Sequence, residues 1–386
     1  VNMGRHALAH LYPWDVIGDP DAVPRVRDLG VDAVALAAAY HSVRAATPLH
    51  PAHRIVDAPH AAMYVPFDEA SWRGRLLQPA TATWLAAHDP FSTAAQALRR
   101  AGLKVHAWIV LTHASRLAAQ HPQFAVRNAF GDSYRHALCP AHDAVLEYCA
   151  RMAHEIVRIG KPDGVVLEAA GPMGFVHGGH HEKTDGADFG TVQKQLLSLC
   201  FCTACTARYA QVGIDAGSLR ALVQAGIDRP ARSIEAVLGE PLATRLAQVR
   251  GSLALELRRR VTGALRRLAP ELEIILHASA DPWATGAFAS VAGGVDARAD
   301  VLVANCWAGP ETALAEIAGL ARWQESRRLA AYVLALPPRP CDARALRAEL
   351  DAYAGAGVDE FHFYHAGLAS RARLAAIRTA LRGDAC

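Results

Sequence analysis

The stretch Phe91-Ser-Thr-Ala-Ala-Gln-Ala-Leu-Arg-Arg-Ala101-Gly102-Leu103-Lys104-Val-His-Ala-Trp-Ile-Val-Leu111 reads as helix, stop and strand in direct succession. Apolar residues at helical spacing run to Ala101, and Gly102 supplies the left-handed residue that ends a helix. Lys104–Leu111 is then a β-rich run. The same punctuation recurs at Leu29-Gly30-Val31 and at Ala356-Gly357-Val358.

Working outward from this unit, candidate strands fall at His6–Leu11, Asp32–Leu36, Lys104–Leu111, Gly164–Glu168, Glu273–His277, Asp300–Ala304, Ala331–Ala335 and Glu360–Tyr364. Helical patterns lie between them at Pro20–Leu29, Phe91–Ala101, Ala144–Ile159, Ala243–Leu268, Ala313–Glu325 and Ala343–Ala354. Eight repeats of strand then helix predict an α/β fold, a (β/α)8 TIM barrel rather than an open doubly wound sheet. No Gly-x-Gly-x-x-Gly fingerprint or P-loop follows a strand, which counts against dinucleotide binding and NTP hydrolysis.

The expectation is one barrel domain over residues 1–386, with an insertion at about 169–240. Two connections are too long for simple turns. The one after strand two, about Tyr40 to Leu103, includes a possible hairpin strand at Ala61–Pro66. The one after strand four carries Gly178-Gly179-His180-His181 and a cysteine cluster. Both fall on the C-terminal face, where barrel active sites lie.

The chain has 386 residues, of which 52% are hydrophobic, and a formal net charge of +3, enough apolar material for a large core. Its charge is too small and too scattered for a nucleic-acid partner. Arg258-Arg259-Arg260 reads as a solvated helix face. No apolar run approaches the ~18–20 residues that span a bilayer, so no membrane partner is expected. Val1–His6 lacks the apolar region of a signal peptide, so the expected location is cytoplasmic, with cysteines reduced or metal-bound rather than paired.

Chemistry-bearing side chains gather at the strand ends. Glu168 closes the apolar run Gly164-Val165-Val166-Leu167, and a carboxyl there, against apolar walls, has its pKa raised and suits a general acid. Glycoside cleavage needs two carboxylates. Strand seven ends without an acid, which leaves Asp281 and Glu182 as the candidates for the second. Four of the seven tryptophans lie in or just beyond a strand. Indoles at a barrel mouth stack on sugar rings, so Trp14, Trp283 and Trp307 are candidate sugar platforms. His41, His113, His180, His181, His277 and Asn305 are candidate hydroxyl partners. Glu360 begins strand eight at the opposite end and reads as structural.

Cys200-Phe-Cys202-Thr-Ala-Cys205 has a fourth thiol upstream at Cys139. Three clustered thiols and one distant partner suit a closed, four-coordinate structural Zn²⁺ site that ties two segments together.

Two stretches carry a family resemblance. Tyr134-Arg135-His136-Ala137-Leu138-Cys139-Pro140 and the cysteine cluster resemble segments of the family 42 β-galactosidases and of glycosidase-like bacterial barrels, over roughly Asn128 to Val212. The resemblance implies a structural zinc on the four cysteines and a glycoside hydrolase that uses Glu168 as acid/base on a small carbohydrate. The chain departs from the family in two places: Leu167 rather than Asn precedes the acid, and strand seven lacks the nucleophile glutamate. Two other readings follow from the same residues. One is a metal-dependent hydrolase or isomerase with ligands from His10, His41, Glu168 and His277. The other is a non-catalytic carbohydrate-binding relative.

Overall fold

The computed structural model describes residues 6–176, 183–296 and 298–383. Eight parallel strands close into a barrel: β1 His6–Leu11, β2 Ala33–Tyr40, β3 Lys104–Val110, β4 Gly164–Glu168, β5 Glu273–His277, β6 Val301–Cys306, β7 Arg328–Leu334 and β8 Glu360–Tyr364. Each strand pairs with its neighbours in chain order, and β1 closes the ring by pairing with both β2 and β8. The outer layer contains α1 Ala22–Asp28, α2 Pro90–Arg100, α3 Asp143–Gly160, α4 Glu240–Leu268, α5 Pro310–Ala321, α6 Ala343–Gly355 and α7 Arg371–Arg382. Gly30, Gly102 and Gly357 all have positive φ just after a helix, as their spacing requires.

One repeat departs from the strand–helix theme. Residues 278–300, between β5 and β6, form no helix among the described residues. The long helix α4 covers this segment instead, so closely that a Cβ on Gly293 would lie 2.4 Å from the Gly251 carbonyl carbon. A segment without a helix leaves carbonyls unpaired, and burying them requires a donor. Arg258 supplies it: Nε donates to Ala170 O at 3.0 Å, and Nη2 donates to Ala289 O at 3.0 Å and Ser290 O at 2.7 Å. Arg258 is therefore buried in the core, not on a solvated face as the Arg run suggested.

The loops also differ from expectation. After β2 the chain forms the hairpin Val43–Ala46 and Ile55–Ala58, and then Ala62–Met63 pairs antiparallel with β2. The connection after β3 is elaborated as well. It carries the hairpin Ala125–Arg127 and Ser133–Leu138, whose last residue precedes Cys139. Between β4 and α4, the described residues form four α-helices, Thr191–Leu197, Thr203–Gln211, Ala216–Ile227 and Ile234–Leu238. No helix among the described residues is long and apolar enough to cross a membrane.

Rings and ion pairs fill much of the barrel interior, where branched aliphatics commonly sit. The His10 ring lies 4.7 Å from Trp108, 4.8 Å from Tyr332, 6.2 Å from His277 and 6.1 Å from His362, centroid to centroid. At the floor, Arg328 pairs with Glu273 and lies 3.0 Å from Glu360, while His362 Nε2 lies 2.8 Å from Glu360 Oε1. The floor is also tight: a Cβ on Gly164 would meet the Glu273 carbonyl oxygen at 3.0 Å and the His106 ring at 3.2 Å.

Candidate active site at the barrel mouth

A cavity of about 960 Å³ opens at the C-terminal ends of the strands. The strand geometry explains its lining. Residues two apart on a strand share a face, so the inward row of β3 that carries His106 also carries Trp108, and the inward row of β8 that carries His362 also carries Tyr364. Trp108, Tyr332, Tyr364, Trp307 and Phe288 give the cavity aromatic walls, with Glu168 among them. Trp307 stacks on Tyr332 at 5.4 Å with only 17° between the planes.

Glu168, the last residue of β4, is 7% exposed. Its Oε2 accepts a hydrogen bond from the Trp108 indole at 2.8 Å, and His277 Nδ1 lies 3.7 Å away. Burial pushes the carboxyl up to about 7, with the indole hydrogen bond opposing the shift. Burial and the neighbouring His362 hold the His277 imidazole well below its ordinary value. His277 is thus neutral beside Glu168 near neutral pH. Such a carboxyl holds a proton near neutrality and gives it up readily, the property a general acid requires.

Of the other sequence candidates, Asp281, His41, His113, Asn305 and Trp307 line this cavity. The His41 and His113 rings stack at 4.1 Å. Asn305 Oδ1 accepts from the Trp307 backbone N–H at 3.1 Å, which fixes the turn that presents the indole. Three candidates do not reach the cavity wall. Trp14 is buried, stacked on Tyr12 at 4.4 Å. His277 is fully buried beneath the site, packed on Phe288 at 4.5 Å. Trp283 lines a separate groove along α4, with the Arg250 guanidinium 5.8 Å from its ring centroid. Glu182, His180 and His181 lie outside the described residues.

Two lining residues escape a reading by strand ends. Tyr332 sits inside the apolar run of β7, and only its parity points it inward. Glu316 lies on α5 rather than on a strand, and its carboxyl reaches the cavity, where Ser279 Oγ donates to Oε2 at 3.3 Å. Burial raises the Glu316 carboxyl above the ordinary range, and the charge of Asp281 adds to this.

The four cysteines converge as their spacing suggested. The Sγ atoms of Cys139, Cys200, Cys202 and Cys205 all lie within 4.8 Å of one another, and all four residues are buried. Zn–S bonds of about 2.3 Å in a tetrahedron require sulfurs ~3.8 Å apart. The Cys139–Cys205 and Cys139–Cys202 separations are 3.4 and 3.7 Å, so this buried donor set fits a metal ion. Backbone N–H groups of Arg127 and Cys202 point at Cys200 Sγ, both at 3.5 Å, as thiolates demand of their surroundings. The cluster joins the loop after β3 to the loop after β4. It is the only group of three or more convergent ligands among the described residues, and His10, His41, Glu168 and His277 do not form one.

No protein-family model matches this chain, and no curated protein matches it. Solved structures do. An α-L-fucosidase isoenzyme 2 from Paenibacillus thiaminolyticus superposes with a TM-score of 0.60 at 14% identity, covering 98% of this chain and 49% of that one. The PgaB (BpsB) glycoside hydrolase domain from Bordetella bronchiseptica gives 0.58 at 16% identity, covering 98% and 99%. The fold is a TIM barrel, which these glycoside hydrolases share. A GH42 β-galactosidase, Gan42B, gives 0.55 at 10% identity, covering 98% of this chain and 56% of that one. The chain thus spans about half the length of the fucosidase and of the GH42 enzyme, and nearly all of the PgaB domain. At these identities the likeness is one of fold.

Proposed function

We propose that the protein is a glycoside hydrolase acting on a carbohydrate or glycoside, with Glu168 as the general acid. The observation that carries this reading is a buried carboxyl, raised to about 7, within a cavity walled by aromatic rings. Aromatic faces offer apolar area to the C–H faces of a sugar ring, and Trp307 and Tyr332 form one such wall. His41, His113 and Asn305 stand where they can bind hydroxyls. The fold shared with glycoside hydrolases supports the substrate class.

In the reaction, Glu168 donates its proton to the glycosidic oxygen as the bond to the anomeric carbon breaks, and a second carboxylate assists water on the other side. The Trp108 indole then holds the Glu168 carboxylate that remains. Exclusion of water by the rings keeps the acid protonated until substrate arrives.

Cys139, Cys200, Cys202 and Cys205 hold a structural Zn²⁺ in this reading, in a cytoplasmic protein with reduced thiols. The ion supplies cross-linking rather than chemistry: four thiolates leave no open position for substrate or water. It fastens the loop after β4 to the loop after β3, both at the mouth. Metal analysis of the purified protein is expected to give one zinc per chain, and a Cys202→Ser variant is expected to lose it.

The decisive test is turnover of a panel of aryl glycosides by the wild type and by Glu168→Gln. Hydrolysis by the wild type, lost in Glu168→Gln, supports the enzyme. A sugar that raises the melting temperature with no turnover by either protein means a binder instead.

A further inference from the structure

We propose that Glu316 on α5 is the second carboxylate of the site and acts as the base toward the attacking water, while Asp281 organises the loop that positions it. This rests on the hydrolase reading above. Strand seven offers no acid: β7 ends in Val333-Leu334, and Ala335-Leu336 follow. Among the described residues, the cavity is lined by four carboxylates: Asp57, Glu168, Asp281 and Glu316. Asp57 belongs to an exposed hairpin strand after β2, at the rim.

The remaining two acids differ in what their oxygens do. Both oxygens of Asp281 are engaged: Oδ1 accepts from the Trp283 N–H at 2.9 Å, and Oδ2 accepts from Gln195 Nε2 at 3.2 Å. That is the pattern of a residue that closes its own turn and pins it to the helix Thr191–Leu197. Among the described residues, Glu316 accepts a hydrogen bond from Ser279 Oγ alone, on Oε2, which leaves Oε1 to the cavity. The same Ser279 hydroxyl accepts from the Asp281 N–H at 3.2 Å, so one serine links the loop after β5 to α5. Burial raises the Glu316 carboxyl above the ordinary carboxylate range, and the Asp281 charge adds to this. Greater basicity suits a group that takes a proton from water, and makes a poor leaving group for a covalent glycosyl intermediate.

The step balances as follows. Water oxygen bonds to the anomeric carbon while Glu316 takes one water proton. The bond from that carbon to the glycosidic oxygen breaks, and this oxygen takes the Glu168 proton. The products are a free sugar of inverted configuration and an alcohol, and the proton on Glu316 returns to Glu168 through solvent.

The experiment measures kcat on an aryl glycoside cleaved by the wild type, for Glu316→Gln and Asp281→Asn, and follows the first-formed anomer by ¹H NMR. Expected are inversion by the wild type and a loss of about 100-fold or more in Glu316→Gln. Glu316→Ala is expected to recover turnover in sodium azide, forming a glycosyl azide, whereas Asp281→Asn is not rescued. Should Glu316→Gln fail to fold, Glu316→Asp carries the test, with a loss of about tenfold or more at an unchanged melting temperature. A retained product configuration overturns the proposal. So does a Glu316→Gln or Glu316→Asp variant within about threefold of wild type. Absence of wild-type turnover on every glycoside is a different result: it removes the hydrolase reading, and this assignment with it.

Discussion

Two buried glutamates sit at opposite ends of the same barrel and behave oppositely. At the mouth, burial pushes Glu168 up to about 7, and the hydrogen bond it accepts from a neutral indole does not reverse the shift. At the floor, burial also pushes Glu360 up, but the hydrogen bond from His362 and the charges of His362 and Arg328 overcome it and hold that carboxyl at about 2. Burial therefore does not decide the state of a carboxyl in this lumen; the partner does. A carboxyl given a cation is a structural ion, and one left with a neutral donor facing a cavity keeps a transferable proton.

The largest expected effect lies at the mouth. Glu168→Gln is expected to lower kcat by roughly 10²–10⁴-fold, the usual contribution of a general acid, while Glu360→Gln leaves kcat per folded molecule nearly unchanged. Steady-state kinetics on purified variants checks both.

Stability reverses the ranking. Glu360→Gln is expected to cost about 3 kcal/mol at pH 7, since the shift from 4.5 to about 2 is worth ~1.4 kcal/mol per unit, and the amide leaves His362 without its carboxylate and Arg328 with Glu273 alone. A depressed pKa contributes stability above the unfolded value, so this cost is full above about pH 4.5 and fades as pH falls toward 2. Urea unfolding at a series of pH values measures it.

Glu168→Gln carries the opposite sign and a similar size. A raised pKa destabilises the fold as pH rises through the unfolded value, so the amide is expected to gain about 2–3 kcal/mol above pH 7 and nothing below about pH 4.5. The same urea series reads it. A gain that persists at pH 4 contradicts the linkage.

The smallest effect sharpens the role of the indole. Trp108→Phe removes the donor that favours the Glu168 carboxylate, a bond to a charged group worth ~1.5 kcal/mol. The alkaline limb of the kcat/KM–pH profile is expected to move up by about one unit or less.

Much of the barrel was legible in the sequence because its signals are local. Gly30, Gly102 and Gly357 each mark a helix end by backbone requirement alone. Glu168 was legible too, because an acid closing an apolar strand has one direction to point. The convergence of the cysteines was legible because thiols two and three residues apart on a turn and helix start already lie close together. What was not legible depends on tertiary context. Arg258 looks like one of three solvated arginines, and only the packing of α4 on the turn after β4 and on the helix-free segment between β5 and β6 brings it the carbonyls it satisfies. Glu316 is one acid on an ordinary amphipathic helix, and nothing in its neighbours reveals that α5 leans its side chain over the mouth. Trp283 follows a strand as Trp307 does, yet the turn closed by Asp281 sends its ring to the groove along α4.

The contrast between the two glutamates reduces to one number that solution measurement can supply. In a protein labelled with ¹³C at the glutamate carboxyls, the resonance missing from Glu168→Gln identifies Glu168, and its titration gives the pKa. Titration near pH 7 is the expected result. A midpoint near the ordinary 4.5 contradicts the account, because the acid at the mouth would then hold no proton to give.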